Sequence, residues 1–148
     1  MEGIKYDQGK PKFALMPKLA IQKIASRIEE CFAEGDYGSE LLRALYSENY
    51  VDAACFAMLL MDPDYAPRYS GGYDMIPHKS MINVAKVLTF GAAKYGPDNW
   101  RIVPNAIERY ESALFRHIYT EGEEIDPESG LPHLAHAACC IMFLIELS

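Results

Sequence analysis

Residues 134–147 are apolar almost all round a helical wheel, and they close the chain. A helix with no polar face must be wrapped by other elements, so the rest of the chain has to supply its walls. His133 and His136 stand three apart in the first turn of that helix and share one face. Immediately before them, Glu121, Glu123, Glu124, Asp126 and Glu128 place five carboxylates within eight residues. So much like charge beside two imidazoles is costly unless a cation or a proton network neutralises it, and a divalent metal is the natural expectation.

At 148 residues the chain fits one domain, residues 1–148, large enough to bury a substantial core. A formal charge of −7 argues against a nucleic-acid coat, which needs a basic face to replace counterions. Small ligands or proteins are the expected partners, with no nucleic-acid polymer and no membrane. The N-terminal residues carry no apolar stretch resembling a signal peptide or a span, so a cytoplasmic location is expected. Cys31, Cys55, Cys139 and Cys140 lack CxxC spacing and read as buried free thiols.

Residues 1–17 have no sustained period and read as an irregular basic arm, carrying Lys5, Lys10 and Lys12. Either it is a solvated tail or it lays lysines on a ligand's phosphates. Apolar residues recurring at threes and fours predict a first helix over 17–33, between Pro17 and Gly35. A second helix is predicted over 39–61, with Ser39 as N-cap and with Glu48 and Asp52 on one face. Residues 62–78 hold three prolines, two glycines and three tyrosines, which is loop chemistry and suits a lid or insertion. A third helix runs from Ser80 to the Lys94-Tyr95-Gly96-Pro97 stop, and a fourth begins near Asn105. With no strand-like alternation, the expected fold is all-α, a bundle of about five helices.

On the fourth helix, steps of ~100° put Ile107, Tyr110, Ala113, Leu114 and Ile118 on one arc. His117 and Glu121 then face inward, Glu111 lies at the opposite edge of the arc, and Glu108 points outward. Arg109, Ser112 and Arg116 form a polar stripe that is either the wet face or a phosphate clamp. Asp126 also suits a helix N-cap. Trp100, with Tyr95 and Asn99 beside Lys94 and Arg101, would stack on a base, or else plug a gap between helices. Oxygen-dominated ligation favours Mg²⁺ or Mn²⁺ and a His-rich set favours zinc; the number of acids favours the former.

Three pieces of the sequence, KYDQGKPKFALMP (5–17), VAKVLTFGAAKYGPDNW (84–100) and ERYESALFRHIYTEGEEIDPESGLPHLAHAACCIMFL (108–144), resemble the phage and bacterial dATP/dGTP diphosphohydrolase domains. The resemblance implies a MazG-like all-α enzyme. Such an enzyme uses Mg²⁺ or Mn²⁺ to cut purine deoxynucleoside triphosphates into a monophosphate and pyrophosphate, and it works as a homo-oligomer. Some phage members remodel the nucleotide pool, so a host-cytoplasmic setting is implied if the chain is phage-encoded. Residues 28–80 depart from the family pattern and read as an inserted helix plus loop. The wider group holds its ions with paired ExxE and ExxD, whose letters recur in Glu108-Glu111 and Glu123-Asp126.

On this reading Glu111, His117, Glu121 and Glu128 are the catalytic candidates. Glu124, Asp126, Glu128, His133 and His136 are the metal candidates, and Lys5, Lys10, Lys94, Tyr95, Asn99, Trp100, Arg109 and Arg116 would bind substrate. The rivals are a non-catalytic nucleotide-binding or inhibitory module and a triphosphohydrolase, although no His here is followed by Asp.

Overall fold

The apolar terminal run forms α6 (His133–Leu147), and the other helices are built around it. In the computed structural model, residues 11–32, 36–65, 72–120 and 122–148 are described. They form α1 (Lys18–Cys31), α2 (Tyr37–Tyr46), α3 (Tyr50–Met61), α4 (His78–Tyr95), α5 (Ala106–Ile118) and α6, with 3-10 turns at Phe13–Leu15, Gly72–Met75 and Asn99–Arg101. The all-α expectation holds: the described residues contain no strand, only an isolated antiparallel bridge between Ile125 and Pro132. No described helix is long and apolar enough to cross a membrane.

α6 packs against α1, α3, α4 and α5. Its Ile141, Met142 and Leu144 are fully buried, together with Ile24 and Ile28 of α1, Met58 and Leu59 of α3 and Leu114 of α5. Each such side chain contributes roughly 1.5–3 kcal/mol by leaving water. All four cysteines are buried.

The helix expected over 39–61 is in fact two. Glu48 sits at φ 57, in the left-handed region, and breaks the run between α2 and α3. Asn49 then caps α3 by accepting the Asp52 N–H at 3.1 Å. Asp36 rather than Ser39 caps α2, accepting from the N–H groups of Gly38 and Ser39. The chain therefore turns a corner that puts α3 inside: Ala53 to Leu59 are all buried. Residues 28–80, expected as an insertion, thus supply a wall of the core through α3, which packs on α1 and α6. Asp52 is not free for a metal, because Arg27 donates to both its oxygens, at 2.7 and 3.2 Å.

The arm ends docked rather than loose. Lys12 donates its N–H to Thr89 Oγ1 of α4 at 3.0 Å, and Met16 is buried. Lys5 and Lys10 lie outside the described residues, as does part of the expected lid. Helix α4 begins at His78, two residues before the expected Ser80, whose buried hydroxyl donates to the Met58 carbonyl at 2.6 Å. It stops at Gly96, where φ is 99 and the N–H returns to the Ala92 carbonyl at 2.8 Å.

Candidate functional site

The acid-rich connection does not trail between α5 and α6 but folds into a tight turn over the start of α6. His133 N–H donates to the Glu124 carbonyl, Asp126 N–H to the Leu131 carbonyl, and Gly130 N–H to the Asp126 carbonyl, at 2.9, 2.9 and 2.8 Å. Gly130 takes φ 72, where a side chain would be strained. Within the turn, Asp126 Oδ1 accepts the Glu128 N–H at 2.8 Å, and Ser129 Oγ accepts the Leu131 N–H at 3.1 Å. Asp126 therefore caps this turn and not α6, whose N-cap is Pro132.

The turn delivers Asp126 and Ser129 to one side of His136, and the end of α5 delivers His117 to another. The rings of His117 and His136 lie nearly parallel, with centroids 4.7 Å apart and planes at 12°. His117 Nδ1 faces His133 Nδ1 at 2.8 Å, so one of the two rings donates there. His136 Nε2 meets Ser129 Oγ at 2.7 Å and Asp126 Oδ2 at 3.4 Å. The edge of Phe90 against the His136 ring closes the apolar side. One ligand atom each from His117, Asp126 and His136 lie within 4.8 Å of one another.

Burial, followed by the neighbouring imidazoles His136 and His133, pushes the His117 pKa down to about 4. Burial also lowers that of His136, against the pull of Asp126. Both rings are therefore held neutral at pH 7, the form in which an imidazole accepts a metal. His133 Nε2 is buried without a hydrogen-bond partner.

Of the predicted site residues, His117, His133, His136 and Asp126 converge. The other acids do not join them. Glu128 is exposed and pairs with Lys94, and Glu124 is exposed and contributes its backbone carbonyl. Glu111 meets the Tyr50 hydroxyl at 3.3 Å; burial, then Glu111, pushes that phenol up to about 12. Glu121 lies outside the described residues.

Arg116, Glu111, Ser112, Phe115 and Tyr119 line an open cleft of about 650 Å³. At ~100° per residue that cleft is on the face of α5 turned away from His117, although the Arg116 charge still helps to lower the His117 pKa. Arg109 is exposed on the same outer side.

Lys94 lies near the rings of Phe90 and Tyr95, 5.9 and 5.2 Å from their centroids. Asn99 opens the 3-10 turn that carries Trp100. Trp100 follows the plug reading. It is 8% exposed, stacks on Phe143 at 4.5 Å, and carries the Arg101 guanidinium over its ring at 4.2 Å, which leaves neither face for a base. Ser129 was missed as a site residue: a serine in a Pro/Gly turn has no periodicity to betray it.

The fold and this cluster define a helical protein with a partly buried imidazole–carboxylate centre. Residues 68–148, more than half of the chain, match the family described as dATP/dGTP diphosphohydrolase, N-terminal, and the chain belongs to that family. It is also similar to a protein of Salmonella phage PMBT28 named dATP/dGTP diphosphohydrolase, 42% identical over 66 residues. That alignment covers 43% of this chain and 22% of the relative, so the chain spans about a fifth of the curated protein it matches. No solved structure matches.

Proposed function

We propose that the chain takes part in hydrolysing dATP and dGTP between the α and β phosphates, releasing a deoxynucleoside monophosphate and pyrophosphate. The observation that carries this reading is that His117, Asp126 and His136 converge within the segment, 68–148, that matches the diphosphohydrolase family. A role in phage nucleotide-pool remodelling belongs to the same proposal.

The reaction needs charge neutralisation on the triphosphate and a water aimed at the α phosphorus. A divalent ion, when bound, supplies a Lewis acid for the phosphoryl oxygens. The donors present fit such an ion: two neutral imidazoles and one carboxylate would hold it. Glu124 and Glu128, by contrast, stand apart from the cluster. A nitrogen-rich set suits Mn²⁺ better than Mg²⁺.

With its pKa pushed down to about 4, His117 is a poor proton acceptor at neutral pH and better suited to ligation than to general-base work. Lys94, paired with Glu128 of the turn, is the cation that would meet phosphate. Its pair with Glu128 is exposed and screened by water, so a polyphosphate can displace the carboxylate. Self-association is part of the reading and has a surface to support it: Tyr46 and Tyr119 are hydrogen-bonded to each other yet 69% and 55% exposed, beside Phe115 on the outer face of α5. Sedimentation of the chain and of a Tyr46→Ser/Tyr119→Ser variant tests it, with a lower mass expected for the variant.

The reaction is tested by incubating the chain with each dNTP and NTP, with Mn²⁺, Mg²⁺ or EDTA, and separating products by ion-pair chromatography. Monophosphate with pyrophosphate, abolished by EDTA, is expected. Survival of every triphosphate while a thermal shift still reports nucleotide binding would support a binding module instead.

A further inference from the structure

We infer that His117, Asp126 and His136 form a site for a single imidazole-seeking transition-metal ion of the Mn²⁺, Co²⁺ or Zn²⁺ class in preference to Mg²⁺, with His133 as the residue that positions His117. The inference rests on the functional reading above only for where the site lies, and it concerns which ion the chain's own residues select.

Two observations carry it. The first is the donor set. Mg²⁺ asks for near-octahedral oxygen, often with retained water, whereas a mixed imidazole and carboxylate set suits the first-row transition ions. Asp52 is held by Arg27 and Glu111 meets Tyr50, while Glu123, Glu124 and Glu128 are exposed on the turn, outside the cluster. What remains around one point is two nitrogens and one oxygen.

The second is spacing. His136 Nε2 and Asp126 Oδ2 stand 3.4 Å apart, longer than a good hydrogen bond of 2.7–3.2 Å. Two ligand bonds of roughly 2.0–2.2 Å at a tetrahedral angle put their donor atoms about 3.3–3.6 Å apart. At the right angle of an octahedral site they would stand about 3 Å apart. The pair is spaced as neighbouring ligands of one ion, and the Ser129 hydroxyl, hydrogen-bonded to the same nitrogen at 2.7 Å, would turn aside when the ion binds.

His133 does not belong to the ligand set. Its Nδ1 is engaged with His117 Nδ1, and it is not among the residues whose ligand atoms converge. If His117 ligates through Nε2, its proton sits on Nδ1 and is donated to His133 Nδ1, which fixes both the tautomer and the ring plane. His133 would thus take the outer-shell place that a carboxylate, a backbone carbonyl or water usually fills beside a ligating histidine.

The test strips the chain with EDTA, removes the chelator and titrates Co²⁺ while recording visible absorption, with no nucleotide present. One equivalent of Co²⁺ is expected to give intense low-symmetry bands, which Zn²⁺ abolishes by displacement and which a large excess of Mg²⁺ leaves in place. His136→Ala and Asp126→Asn should each lose the bands while keeping the helical circular-dichroism spectrum. Two variants are used so that one folding failure does not decide the matter. His133→Leu should weaken Co²⁺ binding about 10- to 100-fold, and His133→Gln, which retains an acceptor, should recover part of it. Displacement of Co²⁺ by Mg²⁺ at equal concentration, or bands that persist in a folded His136→Ala or Asp126→Asn chain, would overturn the inference. A chain that binds Co²⁺ as described but cuts no triphosphate would overturn the functional reading and leave the metal site standing.

Discussion

At the scale of single residues, burial holds the His117 and His136 imidazoles uncharged at neutral pH. A folded-state pKa near 4 for His117, against an ordinary value of 6.5, means that the unfolded chain takes up a proton between those values while the folded one does not. Folding stability is therefore full above about pH 6.5 and declines as the pH falls toward 4. After a discount for the partial exposure of the ring, His117 accounts for a loss of order 1–2 kcal/mol. Urea unfolding of EDTA-treated protein at pH 7.5 and pH 5 should show the midpoint fall on acidification, and His117→Gln should flatten the difference. An unchanged midpoint would show that His117 ionises freely in the folded chain. The acids nearby teach the converse. Glu124 and Glu128 count toward the charge of the stretch, yet both are exposed, the first giving the turn its backbone carbonyl and the second pairing with Lys94.

At the scale of elements, the corner between α2 and α3 does most to shape the core. Ser47-Glu48-Asn49 contains neither Gly nor Pro, so the apolar pattern on either side reads as one helix, and only the left-handed Glu48 reveals two. A non-glycine residue there costs roughly 1–2 kcal/mol. Glu48→Gly should therefore raise the melting temperature by a few degrees, the gain being trimmed by glycine's freedom in the unfolded chain. A lower melting temperature would show that the Glu48 side chain contributes more than its backbone strain costs.

The parts that could be read in advance are those governed by local periodicity. The all-round apolar character of α6 announced its central place, and the wheel of α5 turned His117 inward. The turn over α6 could not be read that way, because its geometry depends on hydrogen bonds closing between Glu124 and His133 and between Asp126 and Leu131. The fate of Trp100 was set by Phe143, which lies far along the chain.

At the scale of the whole molecule, the family match and the physical unit differ in extent. The match begins at residue 68, so α1, α2 and α3 lie outside it, yet α1 and α3 cover faces of α6. Residues 68–148 expressed alone would expose the apolar side of α6 that α1 and α3 normally bury. They should show no cooperative thermal transition and should bind a hydrophobic dye, whereas the full chain should melt cooperatively. A fragment that melts sharply on its own would show that α1 and α3 are dispensable for the fold. The cluster depends on this packing, since His117, His133 and His136 meet only while α5 is held against α6.

In the proposed reaction the imidazole–carboxylate cluster supports attack of water at the α phosphorus. The most direct test runs the reaction with dGTP in oxygen-18 water, with Mn²⁺ present, for the native chain and for Asp126→Asn, and weighs both products by mass spectrometry. The account expects the label in dGMP and none in pyrophosphate, with turnover lost in the variant while its fold is retained. Label in pyrophosphate, release of nucleoside with tripolyphosphate, or equal turnover by Asp126→Asn would contradict it.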